Sequence, residues 1–325
     1  MRCHRATDIR FKYRAATISR RKDNLPHTGI ALSIPTIALR IELFVLRHEA
    51  KVSRMQQANL QRRNERSKRP LLSPDGPVVS MTTHGERLKT VHLALESIAA
   101  GSVLPSRLIL WLDTKEGYEQ RTSGLNRLVD RGLEIYLCDN FGPHTKYFPY
   151  VLSADSLDTP LVTGDDDLLY SRWWLEGMVR AHDSNPLDLN CYRAHVVTLS
   201  NRVVTPYRGW DRCVTSRASY LHFPTGVSGC IYPRRLQETL KCAGTAFLDA
   251  CPKADDVWIH VNALRAGIKV RQIRNRPLRF PFIPGTQETG LYHNNVLDDG
   301  NDFQIRRTYS ESDVLLLESC KIDGN

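Results

Sequence analysis

Two acidic clusters are the residues best placed to do chemistry. Asp165, Asp166 and Asp167 follow the apolar run Leu161–Thr163 and Gly164. Three neighbouring carboxylates repel one another and need protons or a cation to relieve them. With no cysteine beside them, these hard oxygen ligands suit Mg2+ or Mn2+, ions usually held by one or two carboxylates together with substrate phosphates. An acidic turn that caps the following helix through its dipole is the plainer alternative. The second cluster, Asp255 and Asp256, precedes Val257, Trp258, Val261 and Leu264, the apolar face of a helix that Gly267 stops. Either carboxylate can serve as a cap, and as a pair they can divide the work. One can be held by the backbone while the other accepts a proton.

Two further segments lie between or near these clusters. Lys146 falls at a predicted helix start, where the dipole disfavours a cation that has no partner. The segment His222–Gly229 holds Gly226 and Gly229, which let a backbone approach a ligand closely, although a simple turn has the same composition.

The elements that must position these groups are read from periodicity. After Pro77, short apolar strands alternate with amphipathic helices, the pattern of a mostly parallel sheet with helices on both faces. Strands are predicted over Pro77–Thr82, Leu108–Leu112, Leu133–Cys138 and Leu161–Thr163. Helices are predicted over Glu86–Ala100, Gly124–Arg131, Lys146–Ser153 and Arg172–His182. In an open sheet of this kind the ligand sits outside the carboxyl ends of the strands. Thr82, Thr83, Asp113, Asn140 and the aspartate triplet all fall at such ends.

In order, these pieces resemble a glycosyltransferase of the GT-A (Rossmann-like) fold, closest in style to glycosyltransferase family 2. The resemblance covers about 200 residues, from Val78 to about Arg271. It implies a hexosyltransferase-like enzyme that takes a nucleotide-sugar donor and a glycan or glycolipid acceptor, with Mn2+ or Mg2+ as cofactor. Donor binding would fall to Thr82, Thr83, Asp113, Lys146, Asp165 and Asp166, and the metal to Asp165, Asp167 and His293. Acceptor contacts would come from Gly226 and Gly229. Asp256 would be the catalytic base, with Asp255 as the fallback, and transfer would invert the anomeric centre. The turn after the second strand departs from the family pattern, since Asp113 is followed by Thr114, Lys115 and Glu116.

Charge separates the chain into two regimes. The net charge is +10, yet roughly seventeen basic and about five acidic residues precede Pro74, so the rest is slightly acidic. Residues 1–73 therefore read as a basic, partly helical extension and residues 74–325 as the catalytic domain. A nucleic-acid surface would place its basic stripe on the folded domain, so nucleic acid is not an expected partner. The apolar stretch Ile30–Leu46 is interrupted by Arg40 and Glu42 and is short for a membrane span. A cytoplasmic protein with peripheral membrane contact through the extension is the expectation. Eight cysteines without a CxxC pair fit reduced thiols. Two rival readings remain at this stage: a magnesium-dependent phosphatase of the haloacid dehalogenase type, and a non-enzymatic lipid- or nucleic-acid-binding protein.

Overall fold

The computed structural model describes residues 52–286 and 300–322. Alternation along its first strands sends neighbouring side chains into two separate cores. In β1 (Val78–Thr83), Val78 packs on one side and Val79 and Met81 on the other. In β2 (Arg107–Leu112), Ile109 and Trp111 likewise oppose Leu108, Leu110 and Leu112. A strand buried on both faces reads as an unbroken apolar run, which is why these two were visible in the sequence.

The strands continue with β3 (Leu133–Leu137), β4 (Leu161–Thr163), β5 (Leu189–Cys191), β6 (Ala194–Val196), β7 (Leu199–Ser200) and β8 (Val203–Val204). After them come β9 (Asp211–Arg212), β10 (Ala218–Ser219), β11 (His222–Pro224), β12 (Cys230–Tyr232) and β13 (Val270–Gln272). Eight of these form one sheet in the order β10-β13-β5-β12-β4-β1-β2-β3. Only β12 and β10 run against the rest. Beside it, β11, β6 and β9 make a small antiparallel sheet.

Helices α1 (residues 52–66), α2 (Val91–Ala99), α3 (Lys115–Glu119) and α4 (Ser123–Val129) precede β3. Next come α5 (Phe148–Ser153), α6 (Trp174–Ser184), α7 (Arg234–Ala243), α8 (Phe247–Ala250) and α9 (Asp255–Arg265), followed by α10 (Gly300–Thr308) and α11 (Glu311–Ile322). Leu93 and Leu95 of α2, Leu125 of α4 and Trp174 of α6 fill one core. Phe148 of α5, Leu236 of α7 and Val257 of α9 fill the other. The expected α/β class, a mainly parallel sheet with helices on both faces, is what the chain forms. No helix among the described residues is long and apolar enough to cross a membrane.

Two predicted helices are shorter than expected, for reasons that matter at the site. The helix predicted over Glu86–Ala100 is a 3-10 turn (Gly85–Lys89) and α2, separated at Thr90. The turn lies at the end of β1, where Arg87 reaches an aspartate of the triplet. Lys146 closes a second 3-10 turn (Gly142–Lys146), and α5 begins only at Phe148, with Pro149 in its first turn.

One buried carboxylate ties α1 to the body across the composition boundary. Glu96 of α2 is fully buried and accepts hydrogen bonds from Arg63 Nε at 2.9 Å and from Arg131 Nη1 at 2.7 Å. Asn64 of α1, also buried, donates to Gly124 O at 3.0 Å and accepts from Arg127 Nε at 2.9 Å. Removing the shared acid strands two guanidiniums, and breaking a buried pair this way costs about 3–5 kcal/mol. Glu96→Ala is therefore expected to lower the unfolding free energy by that amount in urea denaturation. Unchanged stability would show that the cluster contributes nothing net.

Candidate functional site

The described candidate residues gather at one edge of the sheet because of strand direction. The carboxyl ends of β1, β3 and β4 lie on the same edge, and each leads into a polar segment: Arg87 after β1, Lys146 after β3 and Asp165–Asp167 after β4. Strand β12 runs antiparallel to β4, with Cys230 opposite Thr163, so the loop that precedes it arrives at that edge too. That loop is residues 225–229, the glycine-containing segment.

Lys146 joins the two acidic clusters. Its Nζ lies 3.4 Å from Asp165 Oδ1 and 3.3 Å from Asp255 Oδ2, and its side chain is only 14% exposed. Burial alone would lower the pKa of the ammonium, but Asp255, Asp165 and Asp256 outweigh it and hold it well above its usual range. His144, two residues earlier, fixes this geometry. It is fully buried, stacked on Phe247 at 4.1 Å, with Nδ1 2.9 Å from Tyr147 Oη and Nε2 2.8 Å from the Cys251 carbonyl, just before α9. Burial pushes the imidazole down to about 4, so it is neutral near pH 7. Nothing in the sequence marked His144, since its partner is a backbone carbonyl 107 positions away.

The three aspartates have different surroundings. Asp166 is buried and saturated, accepting from Thr83 Oγ1 at 2.7 Å and from Arg87 Nη1 at 2.8 Å. Arg87 Nη2 also sits 3.2 Å from Asp167 Oδ2. Asp165 is held more loosely, by Lys146 and by the Ser228 N–H at 3.3 Å from Oδ2. Burial raises its pKa, and Lys146 offsets only part of this. Ser228 itself has φ +80°, a conformation that costs a non-glycine residue roughly 1–3 kcal/mol and is found mostly at functional sites. Its carbonyl accepts from Trp174 Nε1 at 2.8 Å and its hydroxyl donates to Leu278 O at 3.0 Å, which hold the strained turn.

Asp255 and Asp256 open α9, as the sequence implies. Asp256 Oδ1 accepts from the Gly226 N–H at 2.8 Å, while Asp255 Oδ2 is buried and pairs with Lys146. A Cβ at position 226 would lie 2.9 Å from Asp256 Oδ1 and 3.4 Å from Lys146 Nζ, so glycine is needed there for close approach. Burial and the adjacent Asp255 push the Asp256 carboxyl up to about 8. Five carboxylates thus share the edge, with Lys146 between the two clusters and Arg87 against Asp166 and Asp167.

Among the described residues the three β4 carboxylates are touched by two cations, Lys146 and Arg87, and that local excess favours a further cation. No three His, Cys, Asp or Glu side chains among the described residues form a complete metal cage. The donor set at the end of β4, Asp165 and Asp167, fits an ion that completes its shell with phosphate oxygens. Of the other predicted residues, Thr82 hydrogen-bonds the Trp111 carbonyl at 3.2 Å. Asp113 stands half-buried at the end of β2. Gly229, at φ +103°, backs onto Trp174 and Met178 away from the carboxylates. His293 lies outside the described residues. Arg87 was read as part of an amphipathic helix; its role depends on a partner 79 positions away.

No family model matches the chain, and no curated protein matches its sequence. Solved structures share its outline distantly. A mannosyltransferase from Pyrobaculum calidifontis, in complex with GDP-Man and Mn2+, is 14% identical over 87% of this chain and 80% of its own, with a TM-score of 0.45. S. aureus TarS 1–349 with UDP-GlcNAc is 14% identical over 75% and 71%, at 0.44. A 4-diphosphocytidyl-2C-methyl-D-erythritol synthase from Anaerococcus prevotii is 13% identical over 70% and 98%, at 0.42. At this distance the site's own geometry carries the functional reading.

The raised carboxyl of Asp256 has a consequence for stability. Its pKa is higher in the fold, about 8, than the ordinary 3.8 it regains on unfolding. The unfolded chain therefore releases this proton first, and the stabilisation present below pH 3.8 is lost as the pH rises toward 8. In urea denaturation of the metal-free protein, stability should fall between pH 5 and pH 8.5, and Asp256→Asn should flatten that slope. Identical slopes in the two proteins would show that the carboxyl is ionised throughout.

Proposed function

We propose that this chain is a glycosyltransferase that moves a sugar from a nucleotide-diphosphate donor to an acceptor hydroxyl. The observation that carries the reading is Lys146, seated between the β4 carboxylate Asp165 and the α9 carboxylate Asp255. It sets a site for a metal-bound diphosphate directly beside a carboxylate suited to accept a proton.

The chemistry follows from that spacing. The acceptor oxygen forms a bond to the anomeric carbon as the bond from that carbon to the diphosphate oxygen breaks. The electron pair leaves with the nucleoside diphosphate, and the acceptor's proton passes to Asp256. A base works best with a pKa near the operating pH, and burial places this one at about 8. The Gly226 N–H holds Asp256 Oδ1, leaving Oδ2 for the proton. Asp255 and Lys146 orient the pair, and Asp166 holds the triplet to β1 through Thr83. Asp165 and Asp167 would hold a divalent ion, Mn2+ or Mg2+, which when bound would supply positive charge to the departing diphosphate. Thr82 and Asp113, at the ends of β1 and β2, are proposed to receive the nucleoside, and the loop containing Gly226 to receive the acceptor. A single displacement of this kind inverts the anomeric centre.

The test is a thermal-shift screen of UDP, GDP, TDP and CMP sugars, with and without Mn2+. GDP-Man and UDP-GlcNAc, the ligands of the structures named above, are natural starting points. One donor should raise the melting temperature only with metal. Asp167→Asn should abolish that shift, and Asp256→Asn should keep it while cutting release of the nucleoside diphosphate roughly a hundred- to ten-thousand-fold. Donor turnover undiminished by EDTA, or near-normal turnover in Asp256→Asn, would overturn the assignment.

A further inference from the structure

Among the described residues, Arg121 and Arg193 are the arginines whose Nε is buried without a hydrogen bond and that make no ion pair; Arg121 lies over the Tyr118 ring, and Arg193 stands near Asp256. Arg87, Arg107, Arg131, Arg265 and Arg271 each pair with a carboxylate. Arg193 pairs with none among the described residues, and its Nε is buried without a hydrogen bond. Its surroundings are cationic: Arg279 and Arg212 lie within electrostatic reach, and Asp256 is the acid that faces it. Burial, reinforced by these two arginines, holds its guanidinium below the usual range.

Backbone hydrogen bonds define where this cluster stands. Arg193 follows the carboxyl end of β5, which runs in the same direction as β4, so it emerges on the edge that carries the triplet. Its carbonyl accepts from Thr225 N at 3.0 Å and Thr225 Oγ1 at 3.3 Å, and the next residue, Gly226, holds Asp256. Leu278 N donates to the Tyr192 carbonyl at 3.1 Å, which sets Arg279 alongside Arg193. Strand β9 pairs with β6 so that Arg212 lies opposite His195. The His195 Nδ1 is buried and unpaired as well, and burial with the three arginines pushes that imidazole down to about 4, leaving it neutral. Arg212 and Arg279 are exposed and make no ion pair among the described residues.

An unpartnered guanidinium kept out of water is costly, and its planar fork matches an oxyanion in bidentate fashion. In the sheet, β12 separates β5, which Arg193 follows, from β4, which carries the carboxylates proposed to hold the donor diphosphate. We infer that Arg193, with Arg279 and Arg212, binds an oxyanion, a phosphate ester or carboxylate, carried by the acceptor close to the hydroxyl that Asp256 deprotonates. The acceptor is thus an acidic glycan or phosphate-bearing alcohol rather than a neutral sugar. This rests on the transferase reading for the role of Asp256, and its test is arranged so that the two can fail separately.

Glycerol 3-phosphate and glycerol serve as the charged and neutral probes of the full-length protein, followed by calorimetry and thermal shift. The phosphate ester should bind and glycerol should not. Arg193→Met should weaken that binding at least tenfold while leaving the ligand-free melting temperature unchanged or higher, because an unpaired, half-buried charge is gone. Arg279→Ala, at an exposed position, should weaken it several-fold with no change in folding. Binding should persist when the protein is saturated with the nucleoside diphosphate and Mn2+. Competition with the nucleotide would instead assign the arginines to the donor and overturn the acceptor assignment. Equal behaviour of the two probes, or a drop of several degrees in the ligand-free Arg193→Met protein, would overturn the subsite. A nucleotide shift without phosphate binding would reject this inference alone, and phosphate binding without a nucleotide shift would reject the transferase reading alone.

Discussion

Everything at this edge of the sheet depends on one buried lysine held between two acids. Lys146 comes from the turn after β3, Asp165 from the end of β4 and Asp255 from the start of α9. Without the ammonium, Asp165 and Asp255 would face one another across the gap it fills. Even with it, burial, reinforced by the neighbouring carboxylates, holds Asp165 and Asp256 above the usual carboxylate range. On the proposed reading, these buried acids receive a metal-bound substrate.

Topology supplies the rest of the constraint. A parallel run of strands brings the ends of β1, β3, β4 and β5 to one side, so residues from position 83 to position 193 can share a site. The reversed strand β12 then brings in the 225–229 loop from the opposite direction. Gly226 and Ser228 in that loop touch Asp256 and Asp165 respectively, so a single short segment spans both acidic clusters. A side chain at 226 or a relaxed backbone at 228 would separate them.

The sequence showed the framework because long apolar strands and a triplet of like charges are local signals. The run Leu161–Thr163 before Asp165–Asp167, and Asp255–Asp256 before an apolar helix face, were legible without any partner. The division of labour within the triplet was not, because it comes from Thr83 and Arg87, residues about eighty positions earlier that look like a strand end and a helix face. His144 and Arg193 were missed for the same reason. Strands β5 to β12 are two or three residues long, too short for any periodicity to register, so the small sheet beside the site left no trace in the pattern. The tie between α1 and Glu96 was hidden by the change in composition near residue 73, which marks a shift in charge while packing continues across it.

The central claim is that the acidic edge is closed by a cation arriving with a nucleoside diphosphate, and proton linkage tests it most directly. The preformed Mn2+ complex of UDP or GDP, titrated into metal-free protein at pH 7 in two buffers of different ionisation enthalpy, reports the protons exchanged on binding. Because the Asp256 carboxyl titrates at about 8 in the free protein, the account requires net proton release when positive charge enters beside it. Binding that is independent of metal, or that releases no proton, would contradict it.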